Sequence, residues 1–416
     1  MVNKKVILGL ATVCSLLNAS GYKVPEQSAD SVALLASNVA MSFGADAAYY
    51  NPANMMFLDH SGHYVEGTLG WFHIDSVGYK KDDGSVYNSN NFDTLASTFS
   101  FVSPEYYENW RFGLALAVPA GVGIGWDDKE AAFSAHRFKL KVIELNPTIA
   151  YRVSDNFAIA AGARAVYSKG RVANDYGIVG KRELEGDSID YGYNVALTYR
   201  PIENLSLAAT YRSKVDLSIK GDATGTFIDP RANYSGAANV EIPLPAQLVL
   251  AAGYKFNDLT LLLAYERTYW SKFKGYDFDY PNATNAQLTN PLFVGFMDKA
   301  TNRKYQDTST YRIGLAYEVT DKLRLMLGFT YDEDASYDSY NTSLDLPNTK
   351  SRAYSTGLNY QISPNLEIAL GYLYQRRDAK RAISVPSGYA RSVQTMNGEF
   401  DRASIQIVAT SIKYKF

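Results

Sequence analysis

Cysteine is almost missing from this chain: there is one in 416 residues, Cys14. Histidine is scarce too, with four, and basic residues are not in excess, 41 Lys and Arg against 43 Asp and Glu. The balance excludes the basic field that a nucleic-acid partner needs. Only one apolar run is conspicuous, Val6–Leu17, and it is too short to cross a bilayer as a helix. Lys4 and Lys5 precede it and the small residue Ala19 follows it, which predicts a secretory leader over residues 1–19. Val13 before Cys14 is too bulky for a lipoprotein cleavage signal. Without Lys4 and Lys5 the basic count falls from 41 to 39, a net charge of −4. A secreted chain of this size with no disulfide needs another source of stability, and a closed barrel supplies it. No cofactor and no metal is expected.

What is abundant is tyrosine, 33 residues, and strict alternation. Leu323, Leu325, Leu327, Phe329 and Tyr331 share a face, as do Leu366, Ile368, Leu370, Tyr372 and Tyr374. Near the C-terminus Val408, Ile412, Tyr414 and Phe416 oppose Ser411, Lys413 and Lys415. Phe157, Ile159 and Tyr167 oppose Gly162 and Arg164. Period two over such lengths predicts strands with one apolar face.

Six short polar turns recur: "YYENWR", "VSDNF", "PIENL", "FNDLT", "VTDKL" and "ISPNL". Between them lie seven longer polar stretches, 80–92, 126–137, 174–186, 221–236, 276–303, 335–346 and 380–398. Tight turns on one side and long loops on the other predict an all-β fold, a 14-stranded antiparallel transmembrane barrel of the bacterial outer membrane over residues 59–416. Tyr151, Tyr199, Tyr254, Tyr317 and Tyr360 precede the tight turns at one offset, and Tyr414 ends the last strand in the same way. They form an aromatic girdle at one interface. The terminal Phe416 resembles the assembly signal of outer-membrane barrels.

Residues 20–58 are not strand. Val32, Leu35, Ala36, Val39, Ala40 and Phe43 follow helical spacing, Ser28 or Asp30 caps the start, and Gly44 ends the helix. In the turn Asn51-Pro52-Ala53, Pro52 keeps Asn51 out of the α region and the Asn51 side chain bonds nearby backbone. This partly helical module is expected to plug the barrel lumen, with Tyr49, Tyr50, Met55 and Met56 packed on the wall.

The segment "SGYKVPEQSADSVALLASNVAMSFGADAAYYNPANMMFL" resembles the N-terminal hatch of FadL/TodX-type outer-membrane transporters of long-chain fatty acids and hydrocarbons. "LEGDSIDYGYNVALTYRP", "YRSKVDLSIKGDA" and "YWSKF" are similar to the family's middle strands, and "YQDTSTYRIGLAYEVTDKLRL" and "LPNTKSRAYSTGLNYQISPNLEIALGY" to its later ones, so the resemblance spans the mature chain. It implies a 14-stranded barrel with the hatch in its lumen and passive, lateral delivery of ligand into the bilayer through an inward kink of strand 3. Long-chain fatty acid is the first expected substrate and aromatic hydrocarbon the alternative. The other partners expected are outer-membrane lipids and lipopolysaccharide, and the barrel is expected to be a monomer.

Strand 3 is read as "WRFGLALAVPAGVGIGW", with Phe112, Leu114, Leu116, Val118, Val122 and Ile124 toward lipid. Small residues face inward, and Pro119, Ala120, Gly121 and Gly123 mark the expected lateral gate, since proline cannot donate to the ladder and glycine permits a bend. Glycines that simply make room for the hatch are the plainer reading. A fatty acid needs a cation; Arg164, Arg312 and Arg324 have inward parity, and Arg171 lies near the top of strand 5. The family's basic pocket position falls near Asn174, a departure from its pattern. The stretches 174–186 and 221–236 look too short and polar for a deep capture groove.

Three other functions fit the sequence less well. An enzyme would need more than His73 and Asp75 on one face, His60 and His63 on opposite faces and an isolated His136. A general porin would have no plug, and no binding motif marks the loops as an adhesin.

Overall fold

The computed structural model describes residues 21–58, 62–107, 109–298, 300–337, 342–383 and 397–416. The expected leader with Cys14, His60, and parts of the loops expected at 335–346 and 380–398 lie outside the described residues. The wall begins with β1 (Tyr64–Ile74), β2 (Phe92–Val102), β3 (Trp110–Ile124), β4 (Arg137–Ser154), β5 (Phe157–Asp175) and β6 (Gly180–Ile202). Strand β7 comes in two pieces, Leu205–Arg212 and Val215–Phe227, and β8 likewise, Tyr234–Leu244 and Gln247–Phe256. There follow β9 (Leu259–Thr268), β10 (Thr308–Thr320), β11 (Leu323–Asp332), β12 (Ser351–Ser363), β13 (Leu366–Arg377) and β14 (Ser404–Lys415). Each pairs antiparallel with its neighbours, and β14 pairs with β1 from Lys415↔Tyr64 to Ile405↔Ile74, closing the barrel. Closure leaves no edge, which a wall in hydrocarbon requires.

The six tight turns fall where their sequences placed them. Outward Leu145, Ile159, Leu197, Leu250, Ile313, Leu327 and Leu370 are exposed and form the apolar belt, with Tyr199, Tyr317, Tyr360 and Tyr414 exposed at its turn-side margin. Two of the expected loops are mostly strand. β5 runs to Asp175 and β6 starts at Gly180; β7 runs to Phe227 and β8 starts at Tyr234. Their polarity belongs to outward side chains standing in water above the belt, such as Glu183 and Glu185, while Leu184, Phe227 and Tyr234 point inward and are buried.

The upper half of β3 departs from the expected alternation. Val118, Val122 and Ile124 are buried rather than lipid-facing. The pairing of β3 with β4 slips by one residue between Ala117 and Ala120, and beyond that bulge the strand lies inside the wall, covered on both faces.

Residues 21–58 pack within the barrel. The first helix, α1 (Ala29–Leu34), has Ser28 at its N-cap, where the Oγ accepts from the Ser31 N–H at 3.0 Å. It stops ten residues before Gly44, because Leu35 and Ala36 adopt left-handed backbone, φ 52° and 55°. Helix α1 lies on a saddle of inward glycines. A Cβ on Gly357 would sit 2.4 Å from the Ala33 Cβ, and one on Gly371 would sit 2.4 Å from the Ala29 carbonyl oxygen. The second helix, α2 (Ala47–Tyr50), leads into the 3-10 turn Pro52–Phe57.

Candidate lateral window and binding cavities

The β2–β3 ladder is short, from Phe99↔Leu116 to Val102↔Gly113. The two strands meet again only at the top, where the Asn90 N–H donates to the Gly125 carbonyl at 2.8 Å and Ser89 bridges Trp126. Between these points, among the described residues, 91–98 of β2 and 117–124 of β3 share no ladder. The result is a window in the wall, and Pro119, Ala120, Gly121 and Gly123 all lie along its β3 edge.

Backbone exposed by the gap needs partners, and the N-terminal segment supplies them. The Val118 N–H donates to the Gln27 Oε1 at 2.7 Å, and the Gln27 Nε2 donates to the Val118 carbonyl at 3.0 Å. The Val24 N–H donates to the Pro119 carbonyl, and the Gly121 N–H to the Tyr22 carbonyl, both at 2.8 Å. On the opposite edge the Thr98 hydroxyl donates to the Gln27 carbonyl. Residues 22–27 thus lie behind the window, bridged to β3 at Lys23↔Ala120, with a cavity of about 290 Å³ between Val24, Gln27, Phe72, Ala96, Thr98 and Val118.

A larger cavity, about 470 Å³, lies higher in the lumen among Phe138, Leu140, Val172, Leu184, Ile219 and Phe278. At its edge the Arg182 guanidinium is 5.5 Å from the Phe278 ring centroid. It donates to the Asn174 Oδ1 and the Met297 carbonyl, each at 2.9 Å, both neutral acceptors. Arg182 is directly opposite Asn174 in the β5–β6 register. Nothing in the sequence singles it out, because it lies in a polar stretch with the composition of a loop. A third, polar cavity of about 360 Å³ contains Lys23, Glu26, Arg312 and Asp332.

The four arginines expected to meet a carboxylate are dispersed and ion-paired. Arg164 is buried and held by Glu144 at 2.8 Å, and Glu144 also binds Arg212. Arg312 is held by Glu266 at 2.9 Å, beside Lys23, which reaches the other oxygen of Glu266 at 2.8 Å. Arg324 binds Glu318 at 2.6 Å near the tight-turn end and lies over the Phe43 ring. Arg171 is on the outer wall, half exposed and paired with Glu183.

The turn Asn51-Pro52-Ala53 ties the segment to the wall. The Asn51 Oδ1 accepts from the Ala53 N–H at 3.1 Å, and its Nδ2 reaches the Val39 carbonyl and the Thr198 hydroxyl, each at 2.8 Å. Met55 and Met56 are fully buried. Glu26 has one buried oxygen with no hydrogen-bond partner, and burial raises its carboxyl to about 7 against the opposing pull of Arg312 and Lys23. His73 lies on the outer wall between Asp93 at 2.9 Å and Asp75 at 3.1 Å, and Ser404 donates to Asp75 rather than to the imidazole.

A closed 14-stranded barrel with an apolar belt, an aromatic margin and an occupied lumen defines an outer-membrane barrel protein. The chain matches the outer membrane protein transport family (OMPP1/FadL/TodX) over residues 10–416 and belongs to it. The family consists of outer-membrane channels for hydrophobic substrates, not enzymes. The 47 kDa outer membrane protein of Pasteurella multocida is 26% identical over 381 residues, 83% of this chain and 85% of that one. The long-chain fatty acid transport protein of Escherichia coli O6:H1 is 23% identical over 335 residues, 64% of this chain and 73% of that one. The crystal structure of a Pseudomonas aeruginosa FadL homologue superposes with a TM-score of 0.83 at 20% identity, covering 95% of this chain and 99% of that one.

Proposed function

We propose that this protein takes up long-chain fatty acids across the outer membrane by lateral diffusion, with the β2–β3 window as the exit into the bilayer. The observation that carries the reading is the window itself: a gap in the wall at Pro119 and Gly121, backed by a cavity and occupied by residues 22–27. Ligand collects in the upper apolar cavity, where Arg182 offers its carboxylate a cation whose own partners are neutral. When residues 22–27 move aside, the acyl chain passes between β2 and β3. Each methylene gains about 0.8 kcal/mol in hydrocarbon relative to water, so exit sideways is favoured over exit into the periplasm, and downstream removal drives net flux without chemical energy. The segment 21–58 acts as a hatch that leaves the side as the open route. Aromatic hydrocarbon uptake through the same window is the alternative.

The test is accumulation of radiolabelled oleate and toluene in cells lacking their own transporter. The wild-type protein is expected to accumulate oleate above an empty-vector control. Arg182→Gln should lower oleate uptake by about ten-fold, the loss of one charge-assisted contact, and leave toluene unchanged. Replacing Pro119 and Gly121 with Val should abolish both; undiminished uptake by a folded double variant rules out the window.

A further inference from the structure

We propose that Arg182 is a clasp on two lid helices and that the carboxylate of an incoming ligand releases it, an inference that rests on the reading of this protein as a fatty acid channel. The helices are α3 (Lys129–Ala135) and α4 (Pro291–Phe296). Register gives their height. Val172 of β5 and Leu184 of β6 are directly opposite one another and line the upper cavity. The next inward pair toward the loops is Asn174 opposite Arg182, and Tyr176 follows just past the end of β5. The helices meet at that level. The Phe133 ring of α3 is 4.8 Å from the Tyr176 ring and 5.7 Å from the Phe296 ring of α4, and Tyr176 and Phe296 are 4.7 Å apart.

Both helices are tied to Arg182. Its Nη1 donates to the Met297 carbonyl, just past α4, at 2.9 Å. Its Nε donates to the Asn174 Oδ1 at 2.9 Å, and the Asn174 Nδ2 donates in turn to the Ser134 and Phe133 carbonyls of α3 at 2.7 and 3.2 Å. A guanidinium grips a carboxylate with two prongs through one of two edges, Nε with Nη2 or Nη1 with Nη2. Each edge includes an atom already committed to a lid helix. A carboxylate is the stronger acceptor, because both partners are then charged. Taking the first edge frees Asn174 and with it α3; taking the second draws Arg182 off α4. A two-pronged carboxylate fits only the unclasped state, so its binding shifts the population toward an open lid.

Helix α4 has a pivot for this movement. Its N-cap Asn290 donates to Asp229 in the β7–β8 turn at 3.0 Å, which anchors that end. The far end is held by two hydroxyls besides Arg182, Tyr176 on the Phe296 carbonyl at 3.0 Å and Tyr280 on the Met297 carbonyl at 2.8 Å. These neutral bonds reclose the lid once the carboxylate has moved on. An uncharged ligand offers Arg182 nothing and leaves the clasp shut.

The test is hydrogen–deuterium exchange of the intact protein in lipid nanodiscs with oleate, with oleyl alcohol, or with neither, while native mass spectrometry of the same samples reports which ligand is bound. Oleate is expected to speed exchange in α3 or α4 by about ten-fold, as loss of one charge-assisted bond implies, and oleyl alcohol to leave both unchanged. Arg182→Gln should exchange fast at both helices without ligand, and oleate should add nothing. Asn174→Leu should free α3 without ligand. Bound oleate with no change at either helix, or equal responses to oleate and oleyl alcohol, overturns the clasp and leaves the uptake reading standing. Oleate that does not bind overturns both. The comparison of the two ligands on wild type needs no variant, so it decides the matter even if a substitution does not fold.

Discussion

Glu26 is the residue on which the closed window is most sensitive to its surroundings. It sits in the strip that backs the window and touches both the polar cavity and the window cavity. Its carboxyl is raised from 4.5 to about 7, chiefly by burial. A raised acid favours the protonated form in the folded chain, so its contribution to stability is fully present below the ordinary value and is lost as pH rises through about 7. Asp46, raised by burial to about 6, acts in the same direction. Glu26→Gln, which is neutral at every pH, should match the wild-type melting temperature near pH 4. Above about pH 8 it should be more stable by roughly 1–3 kcal/mol. A difference that does not change with pH would show that the Glu26 proton is not involved.

At the scale of elements, the seat of α1 is made by glycine rather than by a matching side chain. Gly357 and Gly371 bring the backbones of β12 and β13 against the helix, so any Cβ there displaces it. Gly357→Val is expected to cost about 1–3 kcal/mol through overpacking and to expose residues 21–58 to protease while the barrel still migrates as a folded band on gels. Protease resistance equal to wild type would mean that the saddle does not seat the helix. None of these glycines was legible in the sequence as a contact, because the partner is more than 300 residues away. The strands and tight turns were legible, since alternation and turn chemistry are local. The helical spacing extends past the end of α1 because residues 35–40 are buried too, so their apolar members recur at that spacing without being helical. The upper half of β3 was read with lipid-facing parity because alternation presumes a strand that stays in the wall. Pro119 and the glycines marked the place of departure, while Val118, Val122 and Ile124 gave no sign that they would be covered. Arg182 was hidden by the rule that polar stretches are loops, which fails where a strand continues into water.

At the scale of the molecule, apolar clusters join residues 21–58 to strands around the lumen and leave cavities beside residues 22–27. An open porin conducts ions through a polar channel. Reconstituted in planar bilayers, this protein is expected to show no resolved single-channel steps, and well-defined open levels from the intact chain would contradict a hatch. Transport would then depend on a gap in the wall and not on a pore along the axis.

The last strand also holds the first helix. Lys413 of β14 reaches Asp30 of α1 at 2.5 Å and Glu367 at 2.8 Å, and the Ser411 hydroxyl accepts from the Ala29 N–H at 3.0 Å. A chain in which β14 has not met β1 is expected to lack these contacts with α1 in place and to leave residues 21–58 open to protease.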